Sequence, residues 1–335
     1  MYETGKAPSS AGPRILAVRL GAMGDIVHAL PAVATLKHSF PNSHVTWAVE
    51  PKWACLLEGN PFVDVLLPAE RQTLGGFLET WRNLRGTRFD WAVDFQGLVK
   101  SALLASVARP ERIYGFHQSQ VRERAAALFY SNKVLPRSPH VVDRNLELAA
   151  AAGAASMLRS FPLPAGIPEG NLPEEDFILA SPLAGWTGKQ WPLSYYEALA
   201  QLLWDECRLP LVLDGPSSAA DLLSQVVGVR WRIGGVAGLV HATRKALAVV
   251  GIDSGPMHLA AALGKPGVAI FGPTDPARNG PYGGSLAVLR GPHAVTTYKR
   301  RDEIDSAMWE IRPAAAFEAL REQLSRRNRS AGGAN

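Results

Sequence analysis

Residues 250–264 read VGIDSGPMHLAAALG, and this stretch decides the fold class. An apolar run ends at Ile252, a turn of Asp253, Ser254, Gly255 and Pro256 follows, and a helical pattern then runs to Gly264. A second apolar run over residues 267–271 comes directly after it, so strand, helix and strand follow in the order of a parallel βαβ unit. The same alternation continues outward. Strands are expected at 177–180, 210–213 and 246–252, with helices at 195–206, 219–227 and 256–263; in the first half, strands are expected at 15–20, 44–49, 63–67, 89–94 and 112–115. The expected class is α/β, with two Rossmann-type doubly wound lobes at 14–160 and 175–312. The Pro- and Gly-rich run FPLPAGIPEGNLP at 161–173 lies in a linker, 161–174. Residues 1–13 and 326–335 are expected to be tails, and 313–325 a last helix.

Composition agrees with two globular lobes. The 335 residues are 47% hydrophobic and 19% charged, enough apolar material for two cores. No run approaches the eighteen or so apolar residues of a membrane span, and the first residues lack a signal-peptide core. A cytoplasmic protein is expected. Cys55 and Cys207 have no metal-ligand spacing and give no disulfide framework. The net charge of +5 points to anionic partners, but the basic residues are dispersed and no nucleic-acid motif accompanies them. Nucleic acid is therefore not an expected partner.

In open parallel sheets ligands bind beyond the strand C-terminal ends, and three unusual segments fall there. In GAMGD (21–25) glycines occupy a strand-to-helix turn, where backbone approaches a ligand closely. Asp25 either caps that helix or serves as a general base. At 253–258, Ser254, Gly255 and the following amides open a helix whose N–H groups and dipole suit a diphosphate, the alternative being a plain capped helix. His258 either contacts that phosphate or packs. In Trp186–Pro192, Lys189 and Thr187 either neutralise a departing diphosphate or belong to an exposed loop beside structural tryptophans. On the stripe Leu74, Phe77, Leu78, Trp81 and Leu84, flanked by Arg82, Arg85 and Arg88, core packing is the expected use and a membrane surface the alternative. No D-x-D pair, His/Cys cluster or G-x-S-x-G elbow is present, so neither a metal nor a cofactor is expected.

Taken together, GAMGDIVHALPA (21–32), DFQGLVKSALLA (94–105), TGKQWP (187–192), DSGPMHLAAALGKP (253–266) and FGPTDPARNGPYG (271–283) resemble the ADP-heptose:lipopolysaccharide heptosyltransferases of glycosyltransferase family 9. QGLVKSA and RERAAALFY are similar to the members that add the first heptose. The resemblance implies a GT-B-like fold with two lobes facing a central cleft and the last helix returning to the first lobe. It implies an ADP-heptose donor, a Kdo-lipid A acceptor and peripheral contact with the cytoplasmic face of the inner membrane. Asp25 would be the base and Lys189 the group beside the donor phosphates. Gly24, Thr187, Asp253, Ser254, Gly255, Met257 and His258 would line the donor site, and Gln96, Lys100 and Arg122 the acceptor site. Ser254 stands where threonine is common. Where an acidic adenosine contact is expected, residues 215–220 carry no acid and Asp221 comes only after them. A sugar-nucleotide epimerase of the same fold and a non-catalytic nucleotide- or glycan-binding protein are the alternatives.

Overall fold

The computed structural model describes residues 12–332 apart from 71, 72 and 298. Most of the expected N-terminal tail and the last three residues lie outside them.

The first part of the chain builds β1 (Arg14–Val18), α1 (Met23–Ser39), β2 (His44–Val49), β3 (Val65–Pro68), α2 (Leu74–Gly86), β4 (Trp91–Asp94), α3 (Val99–Val107), β5 (Arg112–Phe116), β6 (Asn132–Val134) and α4 (Val141–Ala151). The second part builds β7 (Ile178–Ser181), α5 (Leu193–Cys207), β8 (Leu211–Gly215), α6 (Ala220–Ser224), β9 (Arg230–Ile233), α7 (Val236–Lys245), β10 (Ala248–Ile252), α8 (Gly255–Ala262), β11 (Gly267–Phe271), α9 (Pro276–Asn279), β12 (Leu286–Arg290), α10 (Ser306–Glu310) and α11 (Pro313–Gly332).

The sheets are ordered β3-β2-β1-β4-β5-β6 and β12-β11-β10-β7-β8-β9, and the pairings within each are parallel. Counted from its own first strand, each sheet has the order 3-2-1-4-5-6. The connections therefore run outward in opposite directions from one central pair, β1/β4 in the first sheet and β7/β10 in the second. A crevice opens beyond the C-terminal ends of such a pair. Strands β1, β2, β7, β8, β10 and β11 are buried almost throughout, as expected of strands with helices on both faces.

The chain divides into two compact units. One runs to Gly21 and resumes over His28–Ser138 and Val142–Pro162; the other takes Ala22–Val27, Pro139–Val141 and the chain from Leu163 onward. The first turn of α1 thus groups with the second unit. α1 continues unbroken through Pro31. α11 reaches Gly332, well into the expected tail, and packs Ala316, Phe317 and Leu320 into the core beside α5 in the second unit, rather than being assigned to the first. From residue 163 the expected linker is tied to the second unit: Arg244 donates to the carbonyls of Leu163 and Pro164 at 2.8 and 2.9 Å, and Arg232 to that of Glu169 at 2.9 Å.

Candidate functional site

Both central strand pairs end in the segments that the sequence singles out. At the first, the backbone N–H of Leu20, just past β1, donates to Gln96 Oε1 at 2.8 Å, and Arg19 Nη1 donates to the carbonyl of Phe95, just past β4, at 2.6 Å. Gln96 therefore sits where the two strand ends meet. The loop carrying it is organised from below by Asp94, which is fully buried. Asp94 Oδ2 accepts from Tyr130 Oη at 2.7 Å and Ser101 Oγ at 2.8 Å, and Oδ1 accepts from the backbone N–H of Gln96 at 2.8 Å and Gly97 at 3.4 Å. Burial, the largest influence, pushes this carboxyl above its ordinary range, against four donors that favour the anion.

The same loop is bound to the segment bearing Arg122. Glu123 accepts from the N–H of Val99 at 2.8 Å, and its own N–H donates to the carbonyl of Gly97 at 3.4 Å. Gly97 adopts φ +69°, and a Cβ there would meet Val121 at 3.0 Å, so glycine lets the two segments close together. Gln96, Lys100 in the first turn of α3, and Arg122 consequently belong to one loop cluster. Lys100 and Arg122 are exposed and have no ion-pair partner among the described residues.

At the second central pair, Lys189 closes a 3-10 turn, Thr187–Lys189, after β7, and Asp253 directly follows β10. Lys189 Nζ donates to Asp253 Oδ2 at 2.6 Å, and His258 Nε2 lies 3.5 Å from Oδ1. Burial would raise the Asp253 carboxyl, but the His258 hydrogen bond and the Lys189 charge outweigh it and hold the group well below the usual carboxylate range. Lys189 also lies 5.3 Å from the centre of the Trp186 ring. Thr187 is half-buried at the start of the turn.

Ser254 is the N-cap residue of α8, with Pro256 in the first turn, yet its hydroxyl bonds no helix N–H and is buried without a partner among the described residues. A buried hydroxyl at a helix N-terminus, where the first amides have no intrahelical acceptor, offers the donors that an anion subsite would need. Gly255 opens the helix, and Met257 turns inward, where it packs against Gly251. His258 is buried, and Gly24 lies against its ring: a Cβ there would fall 2.5 Å from His258 Cδ2. Asp25 is neither the N-cap nor remote from it. It stands three residues after Ala22, whose N–H donates to its Oδ2 at 3.3 Å, in the manner of an acidic residue reaching back across a first helical turn.

Three polar residues at these strand ends have no individual role in the sequence reading. Thr274, in the loop after β11 and inside the FGPTDPARNGPYG motif, is buried with a hydroxyl that has no partner among the described residues. Asp214, at the end of β8, supplies the acid that is absent from residues 215–220. It is not available to a nucleotide, because it is ion-paired with Arg232, whose side chain is fully buried and also meets Glu169 at 3.3 Å. Burial pushes the Asp214 carboxyl up while Arg232 pulls it down. Asp94 is the third, indistinguishable in sequence from any polar residue ending a strand.

A family model described as glycosyltransferase family 9 (heptosyltransferase) matches residues 77–307. Lipopolysaccharide heptosyltransferase 1 of Pseudomonas aeruginosa is 30% identical over 304 residues, covering 82% of this chain and 83% of its own length. The Escherichia coli K12 protein of the same description is 29% identical and matches 83% and 94% of the two chains. Among solved structures, an E. coli heptosyltransferase with ADP superposes with a TM-score of 0.75 at 25% identity, covering 92% of this chain and 99% of the other. The two doubly wound parallel sheets match those GT-B-like structures.

Proposed function

Because this chain belongs to glycosyltransferase family 9 and is a heptosyltransferase of the lipopolysaccharide core, we propose that it transfers heptose from ADP-heptose to a Kdo hydroxyl of Kdo-lipid A with inversion. The observation that carries the donor side is the set at the end of β7/β10: Lys189 paired to Asp253, His258 behind it, and the uncommitted Ser254 hydroxyl at the start of α8. Lys189 gives one N–H to Asp253 and has two more for phosphate oxygens. Ser254, Gly255 and the α8 amides add neutral donors and the positive end of the helix dipole.

Asp25 takes the proton of the acceptor hydroxyl as its oxygen attacks the anomeric carbon. The bond from that carbon to the diphosphate oxygen breaks, and ADP leaves with the electron pair. Donors already aimed at the diphosphate stabilise the charge that builds on it without reorganising. Asp253 orients Lys189 and faces the sugar, while Gly24 and Thr187 complete the donor side. Gln96, Lys100 and Arg122 take the acidic acceptor, whose phosphates and carboxylates suit unpaired cations. A lipid-borne acceptor makes the cytoplasmic surface of the inner membrane the place of action. No helix among the described residues is long and apolar enough to cross a membrane.

The test is product formation from ADP-heptose and Kdo-lipid A, with Asp25→Ala beside the native chain. The variant is expected to fold, to bind ADP with native affinity and to transfer no heptose. Full activity in the variant would remove Asp25 as the base, and absence of product with the native chain on any Kdo- or heptose-bearing acceptor would overturn the assignment.

A further inference from the structure

The apolar stripe of α2 is only partly used for packing. Thr80 and Leu84 turn inward and are buried, whereas Phe77, Leu78 and Trp81 each remain more than a third exposed. The Phe77 and Trp81 rings are 6.0 Å apart. At about 100° per residue, Phe77, Trp81, Arg85, Leu78 and Arg82 fill one continuous sector of roughly 140°, with Glu79 and Asn83 beyond its edge.

The exposed surface continues on neighbouring elements. α3 packs against α2 and presents Lys100 and Leu103; the 3-10 turn Arg124–Phe129 packs against α3 and presents Arg124 and Leu128, the latter 80% exposed. Arg82, Arg85, Lys100 and Arg124 have no ion-pair partner among the described residues, whereas Arg88 at the end of the same region is paired with Asp90 and Glu111. Five exposed apolar side chains on adjoining elements exceed the scattered singles of an ordinary surface. Their rim of four unneutralised cations selects the occupant: an apolar layer beneath a negatively charged headgroup plane.

We propose that α2, the outer side of α3 and the turn at 124–129 form a docking surface for an anionic lipid bilayer. Phe77, Leu78 and Trp81 enter the headgroup boundary, and Arg82 and Arg85 meet lipid phosphates. The surface is continuous with the Gln96, Lys100 and Arg122 cluster, since α3 begins just after the Gln96 loop and Arg122 lies two residues before the turn. Given the lipid-acceptor assignment above, on which this consequence rests, the enzyme takes the acceptor headgroup at the bilayer surface without extracting the lipid.

Sedimentation of the full chain with vesicles of equal phosphatidylglycerol and phosphatidylcholine, against phosphatidylcholine alone, tests the surface directly. Binding is expected only to the anionic vesicles and should weaken with added salt. Phe77→Ser/Leu78→Ser/Trp81→Ser should lower the partition at least about tenfold; Arg82→Gln/Arg85→Gln should lower it about twenty-five-fold, at roughly fivefold per arginine. Both variants should keep the native melting temperature and native transfer to a deacylated, soluble Kdo acceptor, while losing transfer to vesicle-borne acceptor in proportion to binding. Native-like vesicle binding by either variant, or no binding by the native chain, would overturn the proposal. Failure of the native chain on the soluble acceptor would instead count against the assigned reaction, because the vesicle measurement does not depend on it.

Discussion

Replacing Lys189 by Met removes the cation from a pair in which the Asp253 side chain is 4% exposed and the lysine 20%. The carboxylate is left buried, with His258 Nε2 3.5 Å away. Breaking a buried pair from one side costs about 3–5 kcal/mol, and the partial exposure of Lys189 places this case near 3 kcal/mol. For a unit of this size each kcal/mol moves the melting temperature by about 2–4 °C, so calorimetry should record a fall of roughly 6–12 °C. Adding Asp253→Asn to the same chain removes the stranded charge, and most of that loss should return. Transfer should not return: without the cation beside the diphosphate, kcat should stay about 100-fold or more below native in both variants. Recovery of activity together with stability in the double variant would show that Lys189 serves the pair alone, and the leaving-group role would have to be given up.

Ser254→Ala removes a buried hydroxyl that has no partner in the free protein, so the melting temperature should hold or rise slightly, while titration calorimetry should find ADP bound about tenfold more weakly; unchanged affinity would make Ser254 an ordinary turn residue. The Asp253 carboxyl is depressed in the folded state, so the stability it contributes is complete above the ordinary carboxylate pKa of about 4 and is lost as pH falls through the depressed value. Denaturant unfolding of native and Asp253→Asn chains should accordingly differ by a constant amount from pH 7 to 5 and converge only below about pH 4; convergence already between pH 7 and 5 would show that the depressed Asp253 carboxyl is not the source of the difference. Tyr130→Phe deprives buried Asp94 of one of four donors, which should cost about 1–3 kcal/mol in urea unfolding and raise the acceptor KM several-fold at unchanged donor KM. A rise in both KM values would mean that Asp94 supports the fold and not the Gln96 loop in particular.

What the sequence hides follows from where each element lies. The central strands were legible because burial on both faces writes them as apolar runs. Asn132–Val134, Arg230–Ile233 and Leu286–Arg290 were not, and all three are sheet edges: their exposed positions break the apolar run, and the second of them carries a buried arginine. The expected helix at 219–227 shortens to a 3-10 turn and Ala220–Ser224. Periodicity identified α2 as amphipathic but could not say what its apolar side would meet. Core packing was expected and holds for Leu84, not for Phe77, Leu78 or Trp81. Among site residues, motif glycines and the Ser-Gly-Pro turn carry a local signal. Asp214 and Arg232 do not, because their roles depend on each other, 18 residues apart, and on Glu169, 63 residues from Arg232; Asp94 owes its Tyr130 partner to a residue 36 positions away.

The two central strand pairs share a topology but hold charge differently, and this separates their tasks. In the second unit Lys189, the cation at the candidate donor site, is committed to Asp253, and Arg232 is committed to Asp214 and Glu169. A diphosphate there must be held largely by hydroxyl and backbone N–H donors, whose short-range contacts respond little to ionic strength. Lys100 and Arg122 are exposed and unpaired among the described residues, so attraction of an acidic acceptor to them acts through solvent and is screened within about 10 Å at 0.1 M salt. Raising salt from 0.05 to 0.5 M should therefore increase the KM for a soluble Kdo acceptor several-fold while the ADP dissociation constant changes less than about twofold. If ADP affinity fell as steeply as acceptor affinity, exposed charge would be holding the diphosphate, and neither Ser254 nor the start of α8 could be its main anchor.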